Sequence, residues 1–282
     1  MESVEICRTR SELASALEKT CGTRALVMTM GALHDGHAQL LKAARAAAQT
    51  VVASVYVNPL QFGPNEDYAA YPRPEEEDLA LLEREGVDVA YLPTDEDMYP
   101  REPLVRIDPG PVATILEGAT RPGHFAGVLQ VVHKVFNLVT PDMTFFGQKD
   151  AQQLALVRTM VEDLNMGIDV RAVPIKREAS GLAMSSRNTY LSNAERAQAR
   201  AISAALAHGR ELAAAGASAA EVRRSARAKL EDADGVRLDY LHLVNPATFE
   251  SLTDDAHGAG LLVAAAYVGS TRLIDNMEVV LA

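Results

Sequence analysis

Two histidines three residues apart are the first place in this chain where residue type and spacing could do chemistry. The segment 28–37 reads MTMGALHDGH, and His34 and His37 precede an alanine- and leucine-rich stretch of helical spacing. Residues three apart on a helix face one way. At a helix start the unpaired backbone N–H groups and the dipole favour an anion. Gly31 and Gly36 let the backbone approach a ligand closely. Two imidazoles so placed can hydrogen-bond phosphate oxygens and stabilise charge on a phosphate in transfer. A pair of exposed turn histidines is the plain alternative. A metal site is another, although no third ligand stands at a recognisable spacing. Neither GxGxxG nor GxxxxGK[ST] occurs, so the usual dinucleotide and P-loop readings fail.

Further polar segments stand where strands should end. In NPLQFG (58–63), Pro59 stops a strand, and Asn58 and Gln61 supply uncharged donors and acceptors suited to hydroxyls and carboxylates. In GQKDAQQ (147–153), Lys149 is a point charge for phosphate, Asp150 a helix cap or a ribose partner, and Gln153 lies one turn further on. MSSRN (184–188) offers two hydroxyls and a guanidinium that suit a polyphosphate. Arg121 precedes a helix and could reach an anion. Taken alone, NPLQFG reads also as a polar turn, GQKDAQQ as a capped helix start in which the lysine favours function, and MSSRN more readily as an ordinary surface loop. The run EEED (75–78) reads first as a solvated helix start. If ATP binds nearby, Glu77 or Asp78 could help hold its Mg²⁺, directly or through water.

The elements that must position these residues alternate. Strands are expected at 25–30, 51–57, 87–92, 143–146 and 168–174, and helices at 37–48, 75–85, 124–138 and 151–164. Such β-α repetition implies a Rossmann-like, doubly wound parallel sheet of the α/β class, with ligands beyond the carboxyl ends of its strands. After residue 175 comes a polar loop, 176–190. Helices at 194–215 and 219–230 and strands at 236–244, 261–268 and 272–281 then suggest a smaller α+β domain. The expected division is therefore 1–175 and 176–282.

Composition narrows the function classes. With 282 residues, 48% hydrophobic and 23% charged, the chain can bury one large core or two smaller ones. A net charge of −11 with no Lys/Arg run argues against nucleic acid. The longest apolar stretch, 261–268, is too short to span a bilayer, and residues 1–13 do not resemble a secretory signal. Only two cysteines occur, without CxxC spacing, which fits a reducing cytoplasm. Lys and Arg slightly outnumber Asp and Glu over 121–187, a weak pointer to an anionic small molecule.

Read together, the segments MTMGALHDGH, VYVNPLQFGPNEDYAAYPR, RPGHFAGV, FFGQKDAQQL and GLAMSSRNTYLS, in that order over 28–193, resemble the pantothenate synthetase (pantoate–β-alanine ligase) family. The resemblance implies the H-x-G-H nucleotidylyltransferase fold with a C-terminal lid, usually as a homodimer. It implies Mg²⁺ with ATP as substrate, a pantoyl-adenylate intermediate, and β-alanine as the attacking amine. Carried over by motif, Met30, Gly31, Ala32, Leu33, His34, Asp35, Gly36 and His37 bind ATP. His34, His37 and Lys149 do the catalytic work on phosphate, with His37 the first choice as proton donor. Gly147, Gln148, Lys149 and Asp150 contact the nucleotide, and Lys176 lines its site. Met184, Ser185, Ser186 and Arg187 match a mobile phosphate-binding loop. Gln61, Gln153, Asn58 and Arg121 are expected at pantoate or β-alanine. Members often carry aspartates where this chain has Glu75–Glu77, which leaves the metal ligands open. Two rivals remain: a nucleotidylyltransferase that transfers AMP to a phosphate, which has no use for paired glutamines, and a non-catalytic nucleotide sensor, which leaves Lys149 and Arg187 unexplained.

Overall fold

A computed structural model describes residues 3–64 and 66–282, and the chain divides into two compact units. The first holds the residues up to Gly147 together with Leu156–Val173, and the second holds Gln148–Ala155 and Pro174–Ala282.

The first unit is a six-stranded, all-parallel sheet. Its elements in chain order are β1 (Glu5–Cys7), α1 (Arg10–Glu18), β2 (Arg24–Thr29), α2 (Asp35–Ala47), β3 (Thr50–Val55), α3 (Glu75–Arg84), β4 (Val89–Tyr91), α4 (Asp95–Met98), α5 (Glu117–Thr120), α6 (His124–Val139) and β5 (Met143–Gly147). Helix α7 (Ala151–Asp163) and strand β6 (Asp169–Val173) follow. The strand order is β1-β4-β3-β2-β5-β6. Ala25, Leu26 and Val27 of β2 and Val51, Val52 and Ala53 of β3 are fully buried, as central parallel strands must be when both faces are covered. Leu40, Leu41 and Ala44 of α2 and Leu81 and Leu82 of α3 share one core with these strands. The chain winds outward from β2 through β3 to β4, then resumes on the other side of β2 with β5. The direction of winding therefore reverses between β2 and β5, and in open α/β sheets ligands bind at that reversal. The turn 30–34 and Gly147 leave the sheet there.

The β1–α1 pair was not among the expected elements. Glu5–Cys7 is short and polar at its start, so it lacks the apolar run of a central strand. It pairs in parallel with Val89–Tyr91 at the sheet edge. Helix α1 carries a capping box, Thr9 with Glu12, the local signal that marks its start.

In the second unit, α8 (Asn193–Ala214) and α9 (Ala219–Glu231) cover an antiparallel sheet of β7 (Val236–Val244), β8 (Gly258–Val268) and β9 (Thr271–Leu281), in the order β7-β8-β9. Ile202, Leu206, Val222, Leu230, Leu241 and Leu262 lie in its core. A Cβ on Gly209 would sit 2.5 Å from Leu262 Cδ1 and 3.2 Å from Ala226 Cβ, so glycine sets how closely α8 packs. Among the described residues, no helix is long and apolar enough to cross a membrane.

Candidate functional site

The histidine turn is built by backbone geometry before its side chains act. After β2 the chain turns through Gly31 (φ +83°) and Ala32 (φ +49°), both left-handed. A Cβ on Gly31 would lie 3.0 Å from Asp78 Oδ2, so both conformation and space call for glycine. Asp78, in the first turn of α3 and 2% exposed, accepts the Ala32 N–H at Oδ2 (2.9 Å) and the Leu33 N–H at Oδ1 (2.7 Å). Burial pushes this carboxyl above its ordinary value, against the pull of those two bonds. Asp78 and Glu77 were expected as possible Mg²⁺ ligands. In the structure Asp78 clamps the turn through these two bonds.

His34 is the N-cap of α2 and His37 its third residue, in a reciprocal capping box. His34 Nδ1 accepts the Gly36 N–H (3.1 Å), and His37 Nδ1 accepts the His34 N–H (3.2 Å). A backbone amide can only donate, so in both neutral rings the proton stands on Nε2. The ring centroids are 4.2 Å apart. The sequence spacing thus becomes a pair of N–H donors of fixed tautomer at a helix N-terminus, a geometry suited to phosphate oxygens.

Beside β3, Pro59–Gln61 forms a single 3-10 turn capped by Asn58. Asn58 is 1% exposed and Gln61 is 7% exposed. Asn58 Nδ2 donates to Gln61 Oε1 (3.1 Å), and Gln61 Nε2 reaches Met30 Sδ (2.8 Å), joining this turn to the histidine turn. Helix α6 presses on it from the other side. A Cβ on Gly127 would fall 2.1 Å from Leu60 O, so only glycine permits that approach. Arg121 Nε and Nη2 form a two-pronged ion pair with Glu66, with Nε to Oε1 at 2.8 Å, and Nη1 lies 3.1 Å from His124 Nε2. His124 Nδ1 is 2.9 Å from Gln61 O. Arg121 thus stands next to Gln61 but is engaged by Glu66. His124 and Tyr99, which bonds Asn58, were not singled out from sequence, although His124 sits inside the RPGHF segment.

In the second unit the Gln148–Asp150 turn leads into α7, with Lys149 Nζ 3.6 Å from Asp150 Oδ1. Asn276 of β9 holds the turn by donating to the carbonyls of Gln148 (2.8 Å) and Lys149 (2.9 Å). Gln153 lies half-buried on α7. The 176–190 segment closes on itself. Met184 N–H donates to Lys176 O (2.9 Å), Arg177 pairs with Ala183, and Ser186–Tyr190 forms a 3-10 turn. This brings Lys176 alongside Met184, Ser185, Ser186 and Arg187. Asn188, 4% exposed, ties the loop down through Glu178 Oε1 (3.1 Å) and Ala183 O (3.0 Å), and Arg196 braces Glu178 at 2.7 Å.

The histidine turn and the Asn58–Gln61 turn stand on the α/β scaffold of the first unit, and the 176–190 loop belongs to the second. The model of the family described as pantoate-beta-alanine ligase matches residues 5–278. The chain belongs to the pantoate–β-alanine ligase family. A pantothenate synthetase from Acidothermus cellulolyticus is 52% identical over 96% of this chain and 90% of its own length. The crystal structure of pantothenate synthetase from Thermus thermophilus superposes with a TM-score of 0.93 at 45% identity, covering 97% of this chain and 99% of that one. A pantoate–β-alanine ligase from Francisella tularensis, described as complexed with "Beta-gamma ATP and Beta-alanine", superposes with a TM-score of 0.80 at 32% identity, covering 98% and 97%. The resemblance seen in the five motifs and the α/β fold with a smaller antiparallel sheet are both borne out.

Proposed function

We propose that the chain condenses (R)-pantoate with β-alanine, converting ATP to AMP and pyrophosphate through pantoyl adenylate. A pantoate carboxylate oxygen attacks the α-phosphorus, and the bond to the leaving pyrophosphate breaks. The β-alanine amine then attacks the acyl carbon, AMP leaves with the bonding pair, and the amine gives up a proton. A carboxylate is already ionised at neutral pH, so the first step needs orientation and charge stabilisation more than a base.

The observation that carries this reading is the histidine pair, with each Nδ1 engaged by a backbone N–H and each Nε2 protonated at the start of α2. Donors of fixed tautomer are already organised for charge that develops on phosphate oxygens. Gln61, joined to this turn through Met30, is assigned to pantoate with Gln153. Lys149 and Arg187 are assigned to phosphate, Asp150 to ribose, and Lys176 and Met184–Ser186 to the nucleotide. Mg²⁺ arrives with ATP as part of the substrate. A homodimer in the cytoplasm belongs to the same proposal.

Exchange of radiolabelled pyrophosphate into ATP is the deciding measurement. Exchange should require pantoate. Exchange without any carboxylate, or none despite tight ATP binding, would overturn the ligase reading. Exchange with pantoate but no product on adding β-alanine would overturn the second half-reaction.

A further inference from the structure

We infer that Tyr99 and Asn58 are positioning residues that hold the Gln61 amide in one orientation, with Nε2 as the donor to an acceptor oxygen of the carboxylic-acid substrate. This rests on the reading that Gln61 meets that substrate, and goes beyond it by fixing which amide atom does so and what enforces the choice.

Asn58 is oriented by two partners whose roles are unambiguous. Its Oδ1 accepts the Leu60 backbone N–H (3.3 Å), and its Nδ2 donates to the Gly127 carbonyl (3.0 Å). Tyr99 Oη–H donates to the second lone pair of Oδ1 (3.0 Å), and the second Nδ2 hydrogen goes to Gln61 Oε1 (3.1 Å). All four hydrogen-bonding positions of the Asn58 amide are therefore used, and the residue is 1% exposed. It has no capacity left for a ligand, so its influence on substrate runs through Gln61.

With Oε1 turned to Asn58, Gln61 presents Nε2. Among the described residues that nitrogen meets the Met30 thioether, a weak acceptor that an oxygen would readily replace. The orientation suits a carboxylate or a hydroxyl lone pair and disfavours an ammonium or amide NH₂ in the same place. Burial holds the Tyr99 hydroxyl well above its ordinary value, with nearby Asp95 adding to the effect, so it remains a donor across the working pH range. Asp95 is itself held by Tyr56 Oη (2.8 Å) and Tyr68 Oη (3.0 Å), and the Tyr56 ring stands 6.4 Å from Tyr99.

Neutron diffraction on the deuterated, substrate-free protein tests the orientation directly. Deuterons on the Gln61 atom facing Met30 are expected, and deuterons on the atom facing Asn58 would overturn the inference. Kinetics test the consequence. Tyr99→Phe keeps the ring and should keep the melting temperature, yet raise KM for pantoate roughly three- to tenfold with KM for ATP unchanged. Asn58→Asp removes both donors and should turn Gln61 around, raising pantoate KM further. Wild-type pantoate KM in Tyr99→Phe would sink the relay even if Asn58→Asp does not fold. If the unmodified enzyme ignores pantoate, the function assignment fails, while the neutron result still decides the amide orientation.

Discussion

The histidine turn of the first unit and the 176–190 loop of the second are both assigned to phosphate, yet the turn is held by its main chain and the loop by its side chains. The turn is clamped by Asp78, more than forty residues away in sequence, through two bonds to main-chain N–H groups. The loop is held near its start by Arg177, which makes two bonds to the buried Asp275 of β9 (2.6 and 2.9 Å), and further along by side chains, Glu178, Asn188 and Arg196, from its own neighbourhood. Backbone clamped by a buried carboxylate has little room to rearrange. The Arg196–Glu178 pair is 40% and 21% exposed, so water screens much of its attraction. A rigid turn suits donors that must already point at developing charge, whereas the stretch of the loop beyond Arg177, tied by Asn188 and the more exposed Glu178–Arg196 pair, can open at lower cost.

The harshest way to break the turn is to remove a donor. His37→Ala should lose on the order of a hundredfold or more in turnover while staying folded. Steady-state rates with a circular-dichroism melt would check this, and an unchanged kcat would remove His37 from the mechanism. Asp78→Asn tests the clamp itself. One carboxylate oxygen becomes an NH₂ aimed at a backbone N–H, costing about 1–3 kcal/mol. At roughly 2–4 °C per kcal/mol for units of this size, the melting temperature should fall by several degrees. Turnover should fall by roughly ten- to a hundredfold as the histidines shift. A melting temperature and a kcat both equal to wild type would show that the turn holds itself.

These two residues also show what the sequence could and could not disclose. His34 and His37 were legible because spacing, flanking glycines and the following helix are all local. Strands β2 to β6 and helices α2, α3, α6 and α7 were legible for the same reason, since apolar runs and helical periodicity are properties of short windows, whereas the single-turn helices α4 and α5 are too short to show a period. Asp78 stood in an acidic run that looks solvated, and its bonds to Ala32 and Leu33 depend on how α3 packs beside the turn. Asn276, which holds the Gln148–Asp150 turn from β9, is equally invisible in sequence because its partners are carbonyls more than a hundred residues earlier. The edge strand Glu5–Cys7 was missed because an edge position demands no apolar run. The motifs located the reacting groups, and long-range packing supplied what fixes them in place.

The loop should answer more gently. Asn188→Ala removes a side chain that donates to Glu178 and to Ala183 O, and it should loosen the segment locally. KM for ATP should rise by about tenfold, with faster protease cleavage within 176–190 and almost no change in kcat at saturating ATP. If cleavage stayed at the wild-type rate, the loop would be as rigid as the turn and the contrast would disappear.

Arg187→Lys is the finest probe, because it keeps the charge and the tether and removes only the planar fork. A guanidinium can grip two phosphate oxygens at once, whereas an ammonium acts as a point charge. If the loop closes on the polyphosphate through that fork, KM for ATP should rise by about threefold with kcat nearly unchanged. The effect should persist at high salt, because a geometric loss is not screened as a charge loss is. A drop in kcat of the size expected for His37→Ala would place Arg187 among the groups that stabilise the phosphate in transfer. The two regions would then differ in how they are held but not in what they do.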